Sequence, residues 1–193
     1  LVFAPSTTTI YGSKVESINY SFDGLNQVME GAFRPGHFEG VATVLKHLFE
    51  IVNPDFAFFG EKDYQQLQII NKLVAIEALS VKIIGCPISR HKDGLAESSR
   101  NKRLTKDQRD ASPFIYKTLM QAKELFNDQT VDEVQKFVVH QFKDNKHLEL
   151  EYFEIANAST LTHASTKKES EKYRAFIAVF AGEVRLIDNI ALH

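Results

Sequence analysis

The most regular pattern of apolar and polar residues runs from residue 37 to residue 52. Apolar side chains recur there at spacings of three and four, and the stripe consists of Val41, Val44, Leu45, Leu48, Phe49 and Val52. Such spacing places side chains on one face of a helix. Pro35-Gly36 precedes the segment and Pro54 follows it, and these residue types interrupt helices. The pattern therefore predicts a helix over His37–Val52.

Two short apolar runs flank a second segment of helical spacing. Phe56–Phe59 is a run typical of a central parallel strand that is covered on both faces. Helical spacing resumes from Tyr64 to Leu79, and Val81–Gly85 is the next predicted strand. Helices and strands alternating in this order predict a parallel sheet and a doubly wound α/β architecture.

Weaker patterns precede these elements. Leu1–Ala4 is predicted to be a short buried strand, and Ser17–Phe22 is a further candidate strand. Asp23 is a candidate cap for a short helix, whose apolar face would carry Leu25, Val28 and Met29. Residue 1 is Leu rather than Met and lies inside a predicted strand, which favours a fragment of a longer protein.

The character of the chain changes after Gly85. Cys86–Arg103 is polar and irregular, and a long loop of this kind is usually functional or flexible. Thr105 is predicted to cap a helix that runs to about residue 126, and Thr130 opens a capping-box sequence for another helix. Apolar alternation on both sides of Gly182-Glu183 predicts antiparallel strands joined in a hairpin, and Ser159–Lys172 is predicted to be a surface loop. A second, α+β domain is therefore expected to begin near residue 87.

Composition narrows the function mainly by exclusion. With 44% hydrophobic residues the chain can form a packed core. A formal net charge of −2 argues against nucleic acid as the main partner, because binding to the phosphate backbone usually requires a basic excess. No apolar run is long enough to cross a membrane, so no membrane partner is expected. The single cysteine, Cys86, can form no internal disulfide and favours a cytoplasmic setting.

The segment Gly60-Glu61-Lys62-Asp63 lies between a predicted strand and a predicted helix. Ligands of open α/β sheets bind at the carboxyl ends of strands, and a helix N-terminus there favours phosphate. Gly60 would let the backbone approach a ligand, Lys62 suits a polyphosphate, and Asp63 suits ribose hydroxyls or a metal. The alternative is a solvated turn with an ordinary capping aspartate.

Nearby polar residues extend this candidate site. Gln66 lies three residues after Asp63, so both can face one side of the first helical turn, although an exposed helical glutamine is the commoner outcome. Arg34 and His37 precede the first predicted helix and are candidates for a carboxylate or phosphate contact, or His37 caps that helix.

The polar loop after residue 86 holds a second candidate site. Ser98, Ser99 and Arg100 resemble an anion clamp, since an arginine fork can hold two oxygens. Gly94 would give the loop mobility for closure. A solvated loop is the alternative. The histidines show no metal-ligand spacing, so no metal ligand is predicted.

Four segments together are more specific than any one of them. They are Glu30–Val41, Phe58–Leu67, Asp93–Ala96 together with Ser98–Asn101, and Arg185–Asn189. In order and spacing the chain resembles the pantothenate synthetase family over essentially its whole length. The resemblance implies a partial Rossmann-like nucleotidyltransferase domain with a parallel sheet, plus a smaller C-terminal α+β domain. Residues 1–86 would be the C-terminal part of the ATP- and pantoate-binding domain, and residues 87–193 would be the lid.

The resemblance also implies a reaction in two steps. Pantoate attacks the α-phosphorus of ATP to give pantoyl adenylate and pyrophosphate, and β-alanine then attacks the activated carbonyl and releases AMP. ATP with Mg²⁺ would be the cofactors, pantoate and β-alanine the small-molecule partners, and a homodimer is an expectation from the family.

Site roles carried over from the family fall on both halves of the chain. Lys62 would bind phosphate, Asp63 would lie near the ribose, Gln66 would hold pantoate, and the backbone around Ser89 would border the adenine. The whole ATP-binding set would be Gly60, Glu61, Lys62, Asp63, Ser89, Glu97, Ser98, Ser99 and Arg100. The residues expected to act in catalysis are Lys62, Ser98, Ser99 and Arg100.

The sequence departs from the family pattern in two ways. The family's H-x-G-H histidine pair and a first pantoate-binding glutamine are absent, so these 193 residues are expected to be inactive alone while the parent enzyme is active. The alternative is a non-catalytic fragment that binds nucleotide or a partner. Glu97 stands where the family usually has an apolar residue, and an acid there disfavours phosphate unless it points away.

Overall fold

The computed structural model describes residues 1–12, 14 and 16–193. The chain forms two compact units, Leu1–Cys86 and Pro87–His193. The elements of the first unit are α1 (Thr7–Tyr11), α2 (Met29–Phe33), α3 (His37–Val52), β1 (Phe56–Gly60), a 3₁₀ turn (Glu61–Asp63), α4 (Tyr64–Ile76) and β2 (Lys82–Cys86). Those of the second are a 3₁₀ helix (Ser99–Arg103), α5 (Lys106–Ala111), α6 (Pro113–Leu125), α7 (Val131–Phe142), β3 (Glu149–Asn157), β4 (Tyr173–Ala181) and β5 (Val184–Ala191).

The first unit contains the predicted strand–helix–strand arrangement. β1 and β2 pair in parallel, in a register that runs from Phe56 opposite Lys82 to Gly60 opposite Cys86. The helix α3 has its predicted bounds. It ends because Asn53 adopts a left-handed conformation (φ 45°) and its N–H caps the carbonyl of Phe49. The predicted parallel pairing and the α3 helix are confirmed.

The buried face of α3 differs from the predicted stripe. Phe38, Ala42, Thr43 and Phe49 are buried, whereas Val52 is exposed. Phe49 packs into a small core with Ile70 and Val81. On another face, the hydroxyl of Thr43 accepts a hydrogen bond from the Ile18 N–H at 2.9 Å. Because the chain before α3 covers a second side of the helix, the buried surface is wider and rotated relative to the sequence pattern.

Strand β1 is covered on one face only within the described residues. Its side chains alternate, with Phe56 54% exposed and Phe58 67% exposed, while Ala57 and Phe59 pack against the small core. The prediction that both faces are covered is wrong for this part of the chain. An apolar run cannot by itself distinguish a strand buried on one face from one buried on two.

The two predicted strands nearest the N-terminus are not formed. Leu1–Ala4 forms no strand and is exposed. In Ser17–Phe22, the Ile18 N–H bonds a side chain rather than a neighbouring strand. A strand requires a partner for its backbone groups, and the described residues place none there. Asp23 lies in a turn with φ 52°, and the short helix begins later, at Met29.

The second unit is an antiparallel meander of β3, β4 and β5 with helices packed against it. Residues from α6, α7 and the sheet share one core, which includes Leu119, Val134, Val138, Ile155 and Ile177. The predicted hairpin at Gly182 is confirmed, with φ 60° at the glycine, and Ser159–Lys172 connects β3 to β4. The fold class is therefore mixed α/β, with a small parallel sheet and a three-stranded antiparallel sheet.

The helix predicted from Thr105 to residue 126 is two helices. As predicted, Thr105 caps a helix, α5, and Thr130 opens α7 in a capping box with Glu133. The Thr105 cap is also a capping box, formed with Gln108. The break comes at Pro113, which begins α6 because proline lacks the N–H that a continuous helix would need. None of the helices in the described part of the chain has the length and apolarity that a bilayer crossing needs.

Candidate active site

The carboxyl ends of β1 and β2 meet at one edge of the parallel sheet. Gly60 lies opposite Cys86 there and is followed at once by the turn Glu61–Asp63 and by α4. A methyl group added to Gly60 would meet no atom within 4 Å, so the space beside this backbone is open. Gly60 has an ordinary extended backbone (φ −70°), so neither strain nor packing inside the unit requires a glycine.

Lys62 brings a positive charge to this junction. Its side chain is 18% exposed, and its Nζ lies 3.6 Å from Oδ1 of Asp63, whose side chain is 50% exposed. The N-terminal end of α4 adds a partial positive charge. The junction therefore combines an ammonium group, a helix start and open space beside Gly60.

Glu61 lies beside Gly85 of the neighbouring strand. A methyl group at Gly85 of β2 would lie 3.4 Å from Glu61 Oε1 and 3.1 Å from Leu67 Cδ2. The glycine at residue 85 thus leaves room for the Glu61 side chain. Glu61 therefore packs over β2.

Gln65 and Gln66 are neighbours with different environments. Gln65 is 4% exposed, and its Nε2 donates to the carbonyls of Leu25 and Val28, both at 2.8 Å. Its Oε1 accepts from the Glu30 N–H at 3.0 Å. Gln66 is half-buried. Sequence reasoning missed the role of Gln65, although its helical spacing to the buried Ile69 and Leu73 is a signal for it.

These hydrogen bonds fasten the start of α2 to the first turn of α4, and α2 leads to Arg34 and His37. Arg34 is exposed and follows the last residue of α2. His37 is the first residue of α3, and its N–H donates to the Arg34 carbonyl at 3.1 Å. The N-cap is Gly36 rather than His37, so the capping alternative for His37 is wrong.

In the second unit, the polar loop after residue 86 is folded into a hairpin-like segment. Arg90 and Ala96 form an antiparallel bridge, and the Glu97 N–H donates to the Ser89 carbonyl at 2.9 Å. Gly94 has φ 93°, and a methyl group there would overlap the ring of Tyr116. A glycine at residue 94 is therefore required by its backbone conformation and by the contact with Tyr116.

Ser98 and Ser99 line an open cavity of about 650 Å³ within this unit. The other lining residues are His91, Glu97, Asn101, Lys102 and Arg109. Ser98 Oγ also accepts from the Arg100 N–H at 3.3 Å and so caps the 3₁₀ helix. The cations of this lining are Lys102 and Arg109, which sequence reasoning did not single out. Lys102 lies on the 3₁₀ helix that Ser98 caps and Ser99 begins. This proximity to the two serines is the signal in the sequence that could have identified Lys102 as a cavity residue.

Arg100 is directed to strand β5. Its Nη1 donates to the carbonyl of Arg185 at 3.3 Å. Ser89 and Glu97, both expected at the ATP site, contact each other, since Ser89 Oγ donates to Glu97 Oε2 at 2.6 Å. Glu97 thus lines the cavity, and its carboxylate is held by a neighbouring hydroxyl.

Asp93 partly balances the positive charge of the cavity. Arg109 Nη1 donates to Asp93 Oδ2 at 2.6 Å, and the Leu95 N–H donates to Oδ1 at 3.2 Å. These two hydrogen bonds, the Arg109 bond first, hold the pKa of Asp93 below its usual value. Arg109 is therefore fixed at the rim of the cavity by an ionised partner.

The described residues contain no group of three or more His, Cys, Asp or Glu side chains that could hold a metal ion.

The whole chain matches one known family. Residues 1–191 match the family profile described as pantoate-beta-alanine ligase. The chain belongs to the pantoate–β-alanine ligase family. It is thus an ATP-dependent ligase of pantothenate biosynthesis by family, and the resemblance found in the sequence is confirmed.

Relatives in this ligase family match over nearly all of the chain. The pantothenate synthetase of Christiangramia forsetii is 53% identical over 192 residues, which are 100% of this chain and 68% of the relative. That of Bacteroides thetaiotaomicron is 47% identical over 188 residues, 97% of this chain and 66% of the relative.

Two solved ligases of the family have a similar fold. The pantothenate synthetase of Thermus thermophilus matches with a TM-score of 0.90 and 34% identity, over 99% of this chain and 69% of that one. The pantoate-beta-alanine ligase of Francisella tularensis, complexed with beta-gamma ATP and β-alanine, matches with a TM-score of 0.69 and 31% identity, over 97% and 63% of the two chains.

Proposed function

We propose that the full-length gene product condenses pantoate with β-alanine in two ATP-dependent steps. A carboxylate oxygen of pantoate attacks the α-phosphorus of ATP, and pyrophosphate leaves. The amine of β-alanine then attacks the carbonyl carbon of pantoyl adenylate, loses a proton, and displaces AMP. The observation that carries the proposal is the 53% identity to a pantothenate synthetase over 192 residues.

Residues 1–86 would form the C-terminal part of a Rossmann-like nucleotidyltransferase domain that binds ATP and pantoate. The parallel pair β1–β2 with α4 between them supports this assignment, because nucleotides bind at the carboxyl ends of such strands. Open space beside Gly60 would admit a phosphate, Lys62 would neutralise it, and Asp63 would meet the ribose. Glu61 would shape this pocket from across β2.

Pantoate would be held by Gln66, one helical turn after Asp63. The buried amide of Gln65 would serve a different purpose, since it fixes the chain that leads to Arg34 and His37. Those two residues are proposed as further anion contacts.

Residues 87–193 would form the smaller lid domain. Ser98 and Ser99 would bind phosphate oxygens, which their position in the cavity lining supports, and Arg100 would contribute its guanidinium after it leaves the Arg185 carbonyl. Ser89 would border the adenine, with Glu97 beside it.

Mg²⁺ would enter with the nucleotide. Phosphate oxygens of the nucleotide would be among its ligands. When bound, the ion would neutralise charge on the triphosphate. The residues of this chain would align the substrates and stabilise charge, which together account for most of the catalysis in such a site.

The test uses the full-length gene product, because the 193 residues contain no two histidines three apart and we expect this chain alone to be inactive. Purified protein would be incubated with ATP, Mg²⁺, pantoate and β-alanine, and pantothenate and the nucleotide product would be measured by mass spectrometry. We expect pantothenate and AMP in equal amounts, with neither formed when pantoate is omitted. ADP in place of AMP, or no pantothenate, would contradict the proposal.

A further inference from the structure

We propose that Asp188 is a positioning residue for the Ser98-Ser99 clamp, acting through Arg90. The proposal rests on the proposed function and gives a role to the segment Arg185–Asn189, which was a family marker without one. According to this proposal, the ion pair between Arg90 and Asp188, which are 98 residues apart in the sequence, controls how well Ser98 and Ser99 bind ATP.

The pair formed by Asp188 and Arg90 is buried and bidentate. Arg90 Nη1 lies 2.6 Å from Asp188 Oδ2, and Nη2 lies 2.9 Å from Oδ1. The Asp188 side chain is 3% exposed and its Oδ1 also accepts from the Asn189 N–H at 2.8 Å. Two parallel hydrogen bonds fix the plane of a guanidinium group as well as its position. Asp188 on β5 therefore determines where the Arg90 side chain lies.

Arg90 transmits this position to the turn that precedes the clamp. Its Nη1 also donates to the carbonyl of Gly94 at 3.0 Å. Its guanidinium carbon lies 3.8 Å from the centroid of the Tyr116 ring, on helix α6. The ring in turn leaves no room for a side chain at Gly94. One guanidinium group thus joins β5, α6 and the turn.

The turn is joined to the clamp by short backbone and amide contacts. Ala96 bridges to Arg90 in the antiparallel pair, and the Ala96 carbonyl accepts from Asn101 Nδ2 at 3.1 Å. Ser98 and Ser99 lie between these two fixed points. A displacement of Arg90 would therefore shift the hydroxyl groups of both Ser98 and Ser99.

Loss of the Asp188 charge would leave Arg90 as an unpaired, largely buried cation, which drives local rearrangement. Hydroxyl groups displaced by about 1 Å bind and align a substrate much less well. Pantoate would be affected little, because its proposed contact, Gln66, belongs to the other unit.

The experiment compares Asp188→Asn with a matched control in the full-length gene product. The control is Glu151→Gln, since Glu151 forms an ion pair of similar length with Arg185 in the same sheet, at 2.6 Å. We expect Asp188→Asn to raise the KM for ATP by about tenfold or more, with little change in the KM for pantoate, and Glu151→Gln to change neither. Adding Arg90→Gln to Asp188→Asn should restore part of the loss, because the unpaired charge is then removed.

Amide hydrogen exchange gives a readout that does not depend on turnover. Residues 89–101 should exchange faster in Asp188→Asn but not in Glu151→Gln. An unchanged KM for ATP together with unchanged exchange in this segment would overturn the proposal, as would an equal rise in both KM values. If the wild-type protein made no pantothenate, the proposed function would fail while the exchange result still decided the positioning role. Should Asp188→Asn not fold, Tyr116→Leu tests the same network without burying a charge, with faster exchange expected and unchanged exchange contradicting it.

Discussion

At the scale of single residues, charge placement at the β1–α4 junction matters most. Lys62 holds its ammonium group close to the sheet edge with most of its side chain covered. A cation that is partly shielded from water interacts more strongly with phosphate than one at the open surface. Lys62 is therefore the residue on which stabilisation of the leaving pyrophosphate should depend most.

We predict that Lys62→Ala in the full-length gene product slows adenylate formation by about 10²- to 10³-fold or more, since a preorganised charge contact to the transition state is lost. Pyrophosphate release would be measured with ATP and pantoate. Lys72→Ala is the control, because Lys72 lies on the same helix and pairs with Asp23 instead. Pyrophosphate release near the wild-type rate in Lys62→Ala would show that Lys62 does not act in adenylate formation.

Substitutions of the neighbours Gln65 and Gln66 should have different effects, the first on thermal stability and the second on pantoate binding. Gln66→Ala should raise the KM for pantoate by about tenfold, since an unmet polar contact costs about 1–3 kcal/mol, and should leave the melting temperature unchanged. Gln65→Ala should lower the melting temperature, because three backbone groups, all at least partly buried, lose their partner. Calorimetry and steady-state kinetics on both variants check this. A raised KM for pantoate in Gln65→Ala together with a lowered melting temperature in Gln66→Ala would contradict both roles.

At the scale of elements, the segment from residue 89 to residue 103 is held by side chains from elsewhere in its unit. Asp93 helps to hold this segment in place, because its carboxylate accepts a hydrogen bond from Arg109 of α5. The same bond lowers the pKa of the Asp93 carboxyl. A lowered pKa means that the folded state favours the ionised form. The stabilisation is therefore present above the unfolded-state value, near pH 4, and is lost as the pH falls through the lower folded-state value.

The lowered pKa of Asp93 predicts how the stability of Asp93→Asn, compared with the wild type, depends on pH. The wild-type free energy of unfolding should exceed that of the variant at neutral pH, and the difference should shrink as the pH falls below about 4. Urea unfolding at several pH values measures it. Asp110→Asn, an exposed position on the same α5 helix, is the control. A difference that grows towards acid pH would contradict the assignment.

Local signals in the sequence predicted much of this element structure. Helix α3, the parallel pairing of β1 with β2, the helix caps at Thr105 and Thr130 and the Gly182 hairpin follow from spacing and turn chemistry within short segments. The Gly60–Asp63 segment was predicted in the same way. Features that depend on distant pairing were missed: Arg90 meets Asp188 98 residues along the chain, and Gln65 meets Leu25 40 residues away. Periodicity carries no information on such contacts.

At the scale of the whole molecule, the two units differ in how completely they bury apolar surface. The second unit has a continuous core that α6, α7 and the sheet share. The first unit leaves Phe56 and Phe58 of β1 exposed. Exposed apolar surface of this kind weakens cooperative folding and favours association.

We therefore predict that residues 87–193 fold alone. This fragment should unfold in urea in a single cooperative transition, because its core lies within one unit. The fragment 1–86 is the comparison and should unfold over a broader range of urea concentration. A broad transition with binding of a hydrophobic dye by 87–193 would show that its core depends on the rest of the chain.

The central claim, that the family reaction proceeds through pantoyl adenylate in the parent enzyme, is tested most directly by one measurement. Full-length gene product would be supplied with ATP, Mg²⁺ and pantoate but no β-alanine, and pyrophosphate release would be followed over a single turnover. We predict pantoate-dependent release of pyrophosphate with pantoyl adenylate retained, and release of AMP only when β-alanine is added. Pyrophosphate release that requires β-alanine, or that occurs without pantoate, would contradict the two-step account.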